Sequence, residues 1–404
     1  MSKTQRKPNK IIGVDRILKS ISPVMKMENI YGLFRYRLLN GKLTPIRSAF
    51  KIYGIIIMCI FVIPFVSLFI YYSLQIDNLN KEVVIILAQD VSIFIMAIQY
   101  IVSMIIFIRS SERNIRLIKV LAKIDNKLQV SHNRFFFKNT RQSVQLLMLF
   151  FVVLYGLSSV PQFTEERTGI IYHILVIAID FERHMEIFVL CIFVKILIDR
   201  LNVLNNYLLT FLRLKRNKCS VLSLYNTTHK NYSKSTNYIG KASESNFKIR
   251  HLATAFDDIG EVKSLINEIF DFQIFMSLLS TFIFIIIMVW TSIYYFPSYK
   301  SSEIIDISSQ CAFEILSIGF MSYICEVMNL KRDKTKILVN EIVMDYELPK
   351  SMRIQAKAFM ELIQVWPLNI CTYDMFTIDV KLMIKFISIS TTYIIVVIQI
   401  SHIV

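Results

Sequence analysis

The sequence predicts an all-α, polytopic membrane protein with seven transmembrane helices, and three observations carry that prediction. Apolar residues fill 54% of the 404 positions and are gathered in long runs, while charged residues are only 19%. The runs are long enough to cross a hydrocarbon slab about 30 Å thick, which takes about 20 apolar residues of helix because exposed backbone finds no partners in lipid. Between the runs, lysine and arginine are concentrated in alternate segments.

The segment 1–51 is charged throughout and has no compact apolar stretch of signal-peptide length, so the first span is expected to serve as the insertion signal. Windows 52–75, 83–108, 144–161 and 170–198 supply helices one to four, within 52–198. The fourth is interrupted by Asp180, Glu182, Arg183, His184 and Glu186 and needs protein around it rather than lipid. Segment 199–267 continues that helix through Leu201, Leu204, Leu208 and Leu212, then passes into a Ser/Asn/Thr/Lys-rich stretch, 219–248, that reads as a flexible loop. Helical spacing resumes at Leu252, Phe256, Ile259, Val262 and Ile266. Windows 268–296 and 304–330 give helices five and six, within 268–330. Segment 331–375 reads as anchor helices broken at Pro349, and 376–404 as the seventh span.

Residues 1–51 hold 12 basic residues, 109–143 hold 9, 199–267 hold 11 and 331–381 hold 8, whereas the alternate loops hold only Lys81, Arg167 and Lys300. Basic loops stay in the cytoplasm, which places the amino terminus inside, the carboxyl terminus outside, and long helices extending into the cytoplasm. The net charge of +16 is then a topology signal with attraction to anionic membrane lipid, and nucleic acid is not an expected partner.

Cys59, Cys191, Cys311 and Cys325 fall in spans and Cys219 and Cys371 in cytoplasmic segments, so no disulfide framework is expected. No phosphate-binding glycine loop, Cys-x-x-Cys or His-Glu-x-x-His occurs, and no catalytic residue, metal site or cofactor is expected. Glu182 and His184, two residues apart, point to different faces of a helix and do not make an acid–base pair. No internal or inverted repeat favours a transporter.

In the last span, at about 100° per residue, Lys385, Ile389, Thr392, Val396, Gln399 and Ile400 share one face. An amide in hydrocarbon costs several kcal/mol unless paired, so Gln399 implies either an interhelical hydrogen bond or a pore lining. The run Thr392-Tyr393-Ile394-Ile395-Val396-Val397-Ile398-Gln399-Ile400 resembles the threonine, tyrosine, five apolar residues, glutamine, phenylalanine signature of insect gustatory receptors, with Ile400 in the place of the phenylalanine. Phe359, Gln364, Cys371, Phe376 and Asp379 fit that family's loosely patterned helix and turn before the final span. The resemblance implies a homo- or hetero-tetramer whose last helices line a cation pore. Thr392 and Gln399 would face the permeating cations, and Val396 and Ile400 would form an apolar constriction that gates by dewetting. Lys385, on the same face near the inner mouth, would oppose cation flow unless its stem carries the charge away. Tyr393 falls at the edge of the face and is expected to pack on a neighbouring helix.

The same resemblance implies a ligand pocket in the outer half of each subunit. Polar and aromatic residues at that depth are Asp90, Tyr155, Asp180, Trp290, Tyr294, Gln310 and Glu314, with Asp306, Gln310 and Glu314 forming a stripe at i, i+4, i+8. Asp90 and Asp180 also suit simple pairing with Arg183 or His184, and Trp290 suits interfacial anchoring. The expected function is a gustatory receptor in the plasma membrane of sensory neurons, opening as a non-selective cation channel on a small tastant, polar or sugar-like. An odorant receptor subunit shares this topology. A seven-helix receptor coupled to G proteins would need the amino terminus outside, against the distribution of basic residues.

Overall fold

The computed structural model describes residues 12–39, 42–74, 81–161, 169–221, 249–295 and 301–403. Nine helices dominate the described chain: α1 (Ile12–Ile30), α2 (Ser48–Leu74), α3 (Lys81–Lys127), α4 (Arg134–Ser159), α5 (Ile170–Val221), α6 (Ile249–Tyr295), α7 (Ser301–Val343), α8 (Lys350–Val365) and α9 (Val380–Ile403). Two small antiparallel hairpins pair β1 (Arg37–Leu39) with β2 (Lys42–Thr44) and β3 (Cys371–Thr372) with β4 (Phe376–Thr377). Each apolar window of the sequence falls chiefly on its own helix, α2 to α7 and α9. Beyond the last turn of α5, the 219–248 loop lies outside the described residues.

Among the described residues, Ser48–Tyr71, Arg134–Ser159, Ile249–Val289 and Ile307–Val343 are long and apolar enough to cross a membrane. A fifth crossing is made by α3 if its halves, Phe94–Arg109 and Ser111–Lys127, count as one span bent by 65°. The chain is therefore a multi-pass membrane protein. At the bend, Asn114 Nδ2 donates to the Ser110 carbonyl (3.2 Å) and Ser111 Oγ accepts from the Ile46 amide (3.2 Å), so side chains take up hydrogen bonding around the break.

The helices α3, α5, α6 and α7 run 47, 52, 47 and 43 residues. At 1.5 Å per residue each is about 65–78 Å long, roughly twice the hydrocarbon thickness. The excess forms a second packing layer at the end rich in lysine and arginine. There α3 and α6 run antiparallel, and their register is marked by Arg113–Glu268 (3.1 Å), Arg116–Glu261 (2.7 Å), Lys123–Asp258 (2.8 Å) and Lys127–Asp258 (2.7 Å). The first two pairs are solvated and select an alignment more than they stabilise it, whereas the Asp258 carboxylate of the other two is buried. Beneath them Asp125, fully buried, accepts two hydrogen bonds from Arg200 of α5 (3.0 and 2.9 Å).

Pro349 caps the start of α8, as its fixed φ and missing N–H require. From there Trp366 reaches α6, donating Nε1–H to Asp257 (2.9 Å) and laying its ring over Gly260. A Cβ on Gly260 would lie 2.4 Å from the Trp366 ring, so only glycine admits this approach. At the other end of the turn, Thr372 donates to the Asp271 carbonyl (3.0 Å), tying the β3–β4 hairpin to α6 before α9 begins. Among the described residues the last helix packs chiefly on α6 and α7, at the edge of the bundle.

Overpacking at Gly260 is expected to cost about 1–3 kcal/mol. Gly260→Ala should lower the thermal unfolding midpoint of the purified protein, and adding Trp366→Ala should remove the further penalty. Equal midpoints for wild type and Gly260→Ala would show that the ring does not close on this position.

Candidate functional site

The interrupted fourth span becomes the middle of α5, and its charges sort to two sides of that helix. Asp180, Arg183 and His184 turn toward α4, α6 and α7, whereas Glu182 and Glu186 turn toward α3, as spacings of two and four residues require at about 100° per step. Glu182 and His184 thus point apart.

Arg183, 2% exposed, organises the first group. Its Nε and Nη2 donate to Asp180 Oδ1 (3.1 and 2.7 Å), one turn back on α5. Its Nη1 donates to Thr281 Oγ1 (3.2 Å) and Ser280 Oγ (3.5 Å) on α6 and to Glu314 Oε2 (3.2 Å) on α7, while Nη2 also contacts Glu314 Oε1. Thr281 Oγ1 donates to Glu314 Oε2 (2.6 Å). From α4, Tyr155 Oη lies 2.7 Å from the Ile177 carbonyl and 3.1 Å from Asp180 Oδ2. His184 Nε2 lies 2.8 Å from Arg183 Nη2 and 3.3 Å from Glu314 Oε1, and its Nδ1 lies 3.2 Å from Ser317 Oγ. Four helices therefore meet at one depth through one guanidinium.

Aromatic rings wall this centre. Tyr155 meets Phe181 (5.0 Å between centroids) and Phe313 (5.4 Å) edge-on, and His184 stands edge-on to Phe313 (4.8 Å). Ring edges and faces around a buried charge group lower the local dielectric and strengthen each ion pair inside it. Asp180, 20% exposed, is the member most open to an arriving molecule. Asp180, His184 and Glu314 bring possible metal ligands within 4.8 Å of one another. Arg183 contacts all three, so a cation already fills the position a metal would take.

Of the predicted pocket residues, Tyr155, Asp180 and Glu314 converge, and Gln310 lies one turn from Glu314 on α7. Asp180 does pair with Arg183. The side chains of Asp90, Trp290, Tyr294 and Asp306 lie outside the described residues, although their backbones belong to α3, α6 and α7. Sequence reasoning did not find Thr281, Ser280, Ser317 and Phe313, which are ordinary residues in apolar runs and gain their role only by facing Arg183.

On α9, Lys385, Ile389, Thr392, Val396 and Gln399 are all exposed in the single chain, while Ser390 is buried and Phe386 packs against α6. The Ile400 side chain lies outside the described residues. Thr392 Oγ1 donates to the Ser388 carbonyl (2.9 Å), so its hydroxyl is satisfied within the helix. Tyr393 stands edge-on to Phe282 of α6 (5.6 Å), the residue that follows Thr281.

A family model described as 7tm chemosensory receptor matches residues 26–402. No curated protein matches the sequence. The fold is similar to the solved structure of the insect olfactory receptor OR5 from Machilis hrabei, with a TM-score of 0.66 and 12% identity over 96% of this chain and 99% of that chain. It is similar also to OR5 in complex with eugenol, with a TM-score of 0.60 and 11% identity over the same shares of the two chains.

Removing the guanidinium strands the buried Glu314 carboxylate and the partly exposed Asp180, which costs about 3–5 kcal/mol, whereas losing one neutral hydrogen bond costs about 1 kcal/mol. Arg183→Met should therefore lower the unfolding midpoint far more than Thr281→Val, and Arg183→Met combined with Glu314→Met should recover part of the loss. A Thr281→Val effect as large as that of Arg183→Met would show that the guanidinium is not the organiser.

Proposed function

Because the chain belongs to the 7tm chemosensory receptor family, we propose that it is a seven-span gustatory receptor of the insect type, a ligand-gated, non-selective cation channel opened by a small polar or sugar-like tastant. The amino terminus lies in the cytoplasm, the carboxyl terminus outside, and the basic helical layer in the cytoplasm. Four such subunits, identical or related, assemble around the last helix in the plasma membrane of sensory neurons. The distribution of basic residues supports the orientation, and the glutamine-containing ending of α9 supports the gustatory branch. The likeness to OR5 speaks to fold alone at 12% identity, and the OR5 complex with eugenol supports a small-molecule ligand.

The observation that carries this reading is the position of α6 between two sites. Thr281 belongs to the Arg183 network, and the adjacent Phe282 meets Phe386 and Tyr393 of α9. A hydroxylated ligand resting on Asp180, Tyr155 and Gln310, with Asp90, Trp290 and Tyr294 completing the outer wall, competes for the carboxylates that Arg183 and Thr281 hold. A shift of α6 then reaches α9 through one residue. Opening follows if the ligand binds the shifted arrangement more tightly than the resting one. Thr392, Val396, Gln399 and Ile400 form the pore face, with Gln399 replacing part of a cation's hydration and Val396 and Ile400 closing the path when dry.

In cells expressing the protein, Tyr155→Phe should raise the half-maximal concentration of an activating sugar or bitter compound about tenfold, the effect of losing one buried hydrogen bond of about 1.4 kcal/mol. Permeability ratios should stay unchanged. Gln399→Ala should do the reverse, altering relative permeability or unit conductance at unchanged ligand sensitivity, with current normalised to surface protein. Unchanged conduction in Gln399→Ala would remove α9 from the pore. A tag after Val404 should be labelled on intact cells and a tag at Lys3 only after permeabilisation; the opposite pattern would reverse the topology.

A further inference from the structure

On the side of α5 turned away from the Arg183 network, Glu182 and Glu186 sit one turn apart, each 1% exposed, with their carboxyls within hydrogen-bonding reach of each other. Ser103 of α3 donates to Glu186 Oε2 (3.2 Å). One turn along α3, Gln99 donates Nε2–H to Ser277 of α6 (3.2 Å), and Gln273 lies one turn from Ser277 on the same helix. Because α3 and α6 are antiparallel, Gln99 and Ser277 share one level and Ser103 and Gln273 the next. The two glutamates of α5 meet these levels from the third side.

Among the described residues, the positive charge that reaches this centre comes from Arg35, acting on Glu186, and Arg183, acting on Glu182, neither in ion-pair contact with them. The nearest cations are engaged elsewhere: Arg35 gives Nε and Nη2 to Glu28 (2.6–3.0 Å) and Nη1 to Asn114 (3.3 Å), and Arg183 serves Asp180 and Glu314. Among the described residues, neither Glu182 nor Glu186 has a basic partner in ion-pair contact. Tyr31 and Tyr100, also close to Glu182, add no cation. A second, independent shortage lies in the hydrogen bonding. Gln99 Oε1, Gln273 Oε1, Glu182 Oε1 and Glu186 Oε1 are all buried without a donor, although Gln99 and Gln273 are 0% and 1% exposed. All four are oxygens, so what is missing is something that attracts electron pairs.

We propose that Glu182 and Glu186, with Ser103 and the amide oxygens of Gln99 and Gln273, bind a hard metal cation of the sodium or calcium class inside each subunit, apart from the pore helix. Oxygen-only ligands with two carboxylates suit such ions and disfavour softer metals, which take imidazole or thiolate. The Arg35 guanidinium, stacked over Phe107 (4.5 Å) and Phe270 (4.8 Å), is held by Glu28, so its charge is already spent on another carboxylate. The cation ties α3, α5 and α6 together at the level where α5 also carries the Arg183 network, so its occupancy biases the arrangement of the bundle.

The test is thermal unfolding of the full-length purified protein with sodium or calcium titrated against N-methylglucamine at constant ionic strength. It needs neither ligand nor current, so its outcome is separate from that of the channel reading. Wild type should show a saturable rise in midpoint of about 2–4 °C with one of the two ions. Glu186→Gln and Glu182→Gln/Glu186→Gln should lose the rise while matching or exceeding the ion-free wild type, because they remove an uncompensated buried charge. Gln99→Leu, which keeps both carboxylates, should move half-saturation to about tenfold higher ion, providing a readout if the charge variants fail to fold. No rise in wild type, as expected if the pair merely shares a proton, overturns the proposal. A rise that survives in the double glutamine variant assigns the ion to another place and also overturns it.

Discussion

Arg183 is the group on which the middle of the bundle depends. A guanidinium at this depth has no water to return to, so it is tolerable only where every N–H finds an acceptor and its charge finds a carboxylate. Asp180, Glu314, Thr281, Ser280 and His184 meet those demands from three helices, and Tyr155 closes the ring from a fourth. Sliding α7 by one turn would leave Glu314 without a cation and Arg183 with Asp180 as its remaining carboxylate. The packed apolar residues around this depth tolerate small shifts in alignment; the ion network does not, and it therefore selects one vertical register for α4 to α7.

The same economy of contacts explains why α9 stands apart. It touches α6 and α7 and leaves the face of Thr392, Val396 and Gln399 uncovered, while α5 at the centre is buried almost all round through its middle turns. A helix held on one side responds to small movements of its support, and the support here is the helix that carries Thr281 and Phe282. Below, the α3–α6 ion pairs, the Asp125–Arg200 pair and the Trp366 contact hold the basic layer as a rigid base. Motion that begins near Arg183 is thus directed along the upper half of α6.

Much of the fold was legible in the sequence because membrane helices announce themselves by length and polarity. The apolar windows, the helical resumption at Leu252 and the break at Pro349 all follow from local composition or backbone chemistry. Asp180 with Arg183 was legible too, being three residues apart on one helix. The partner that completes the site was not, since Glu314 is 131 residues from Arg183 and joins it only through packing of α7 on α5. Glu314 was singled out as a polar residue at a suitable depth, without a reason to face a guanidinium. The 65° bend of α3 has no proline or glycine to signal it and lies where Ser111 meets the distant Ile46 amide and Asn114 bonds the Ser110 carbonyl. Periodicity places Glu182 and Glu186 on one face but gives no account of what that face meets.

The two sides of α5 therefore differ in a way that single residues do not reveal. Around Arg183 the carboxylates hold a fixed cation that belongs to the chain, and most of the polar atoms are paired. Around Glu186 the carboxyls are as deeply buried, yet among the described residues they have no basic side chain in ion-pair contact, because Arg35 is held by Glu28 and Arg183 by Asp180 and Glu314. If burial alone had governed these positions, leucine at 182 and 186 would pack against α3 without penalty, since apolar replacement of buried charge is commonly neutral or stabilising. Retaining two acids beside two unsatisfied amide oxygens concedes stability at a point where three long helices meet. That concession makes physical sense for an element whose balance is set by an exchangeable charge, and the neighbouring Arg183 network, shared through α5 and α6, is near enough to feel it.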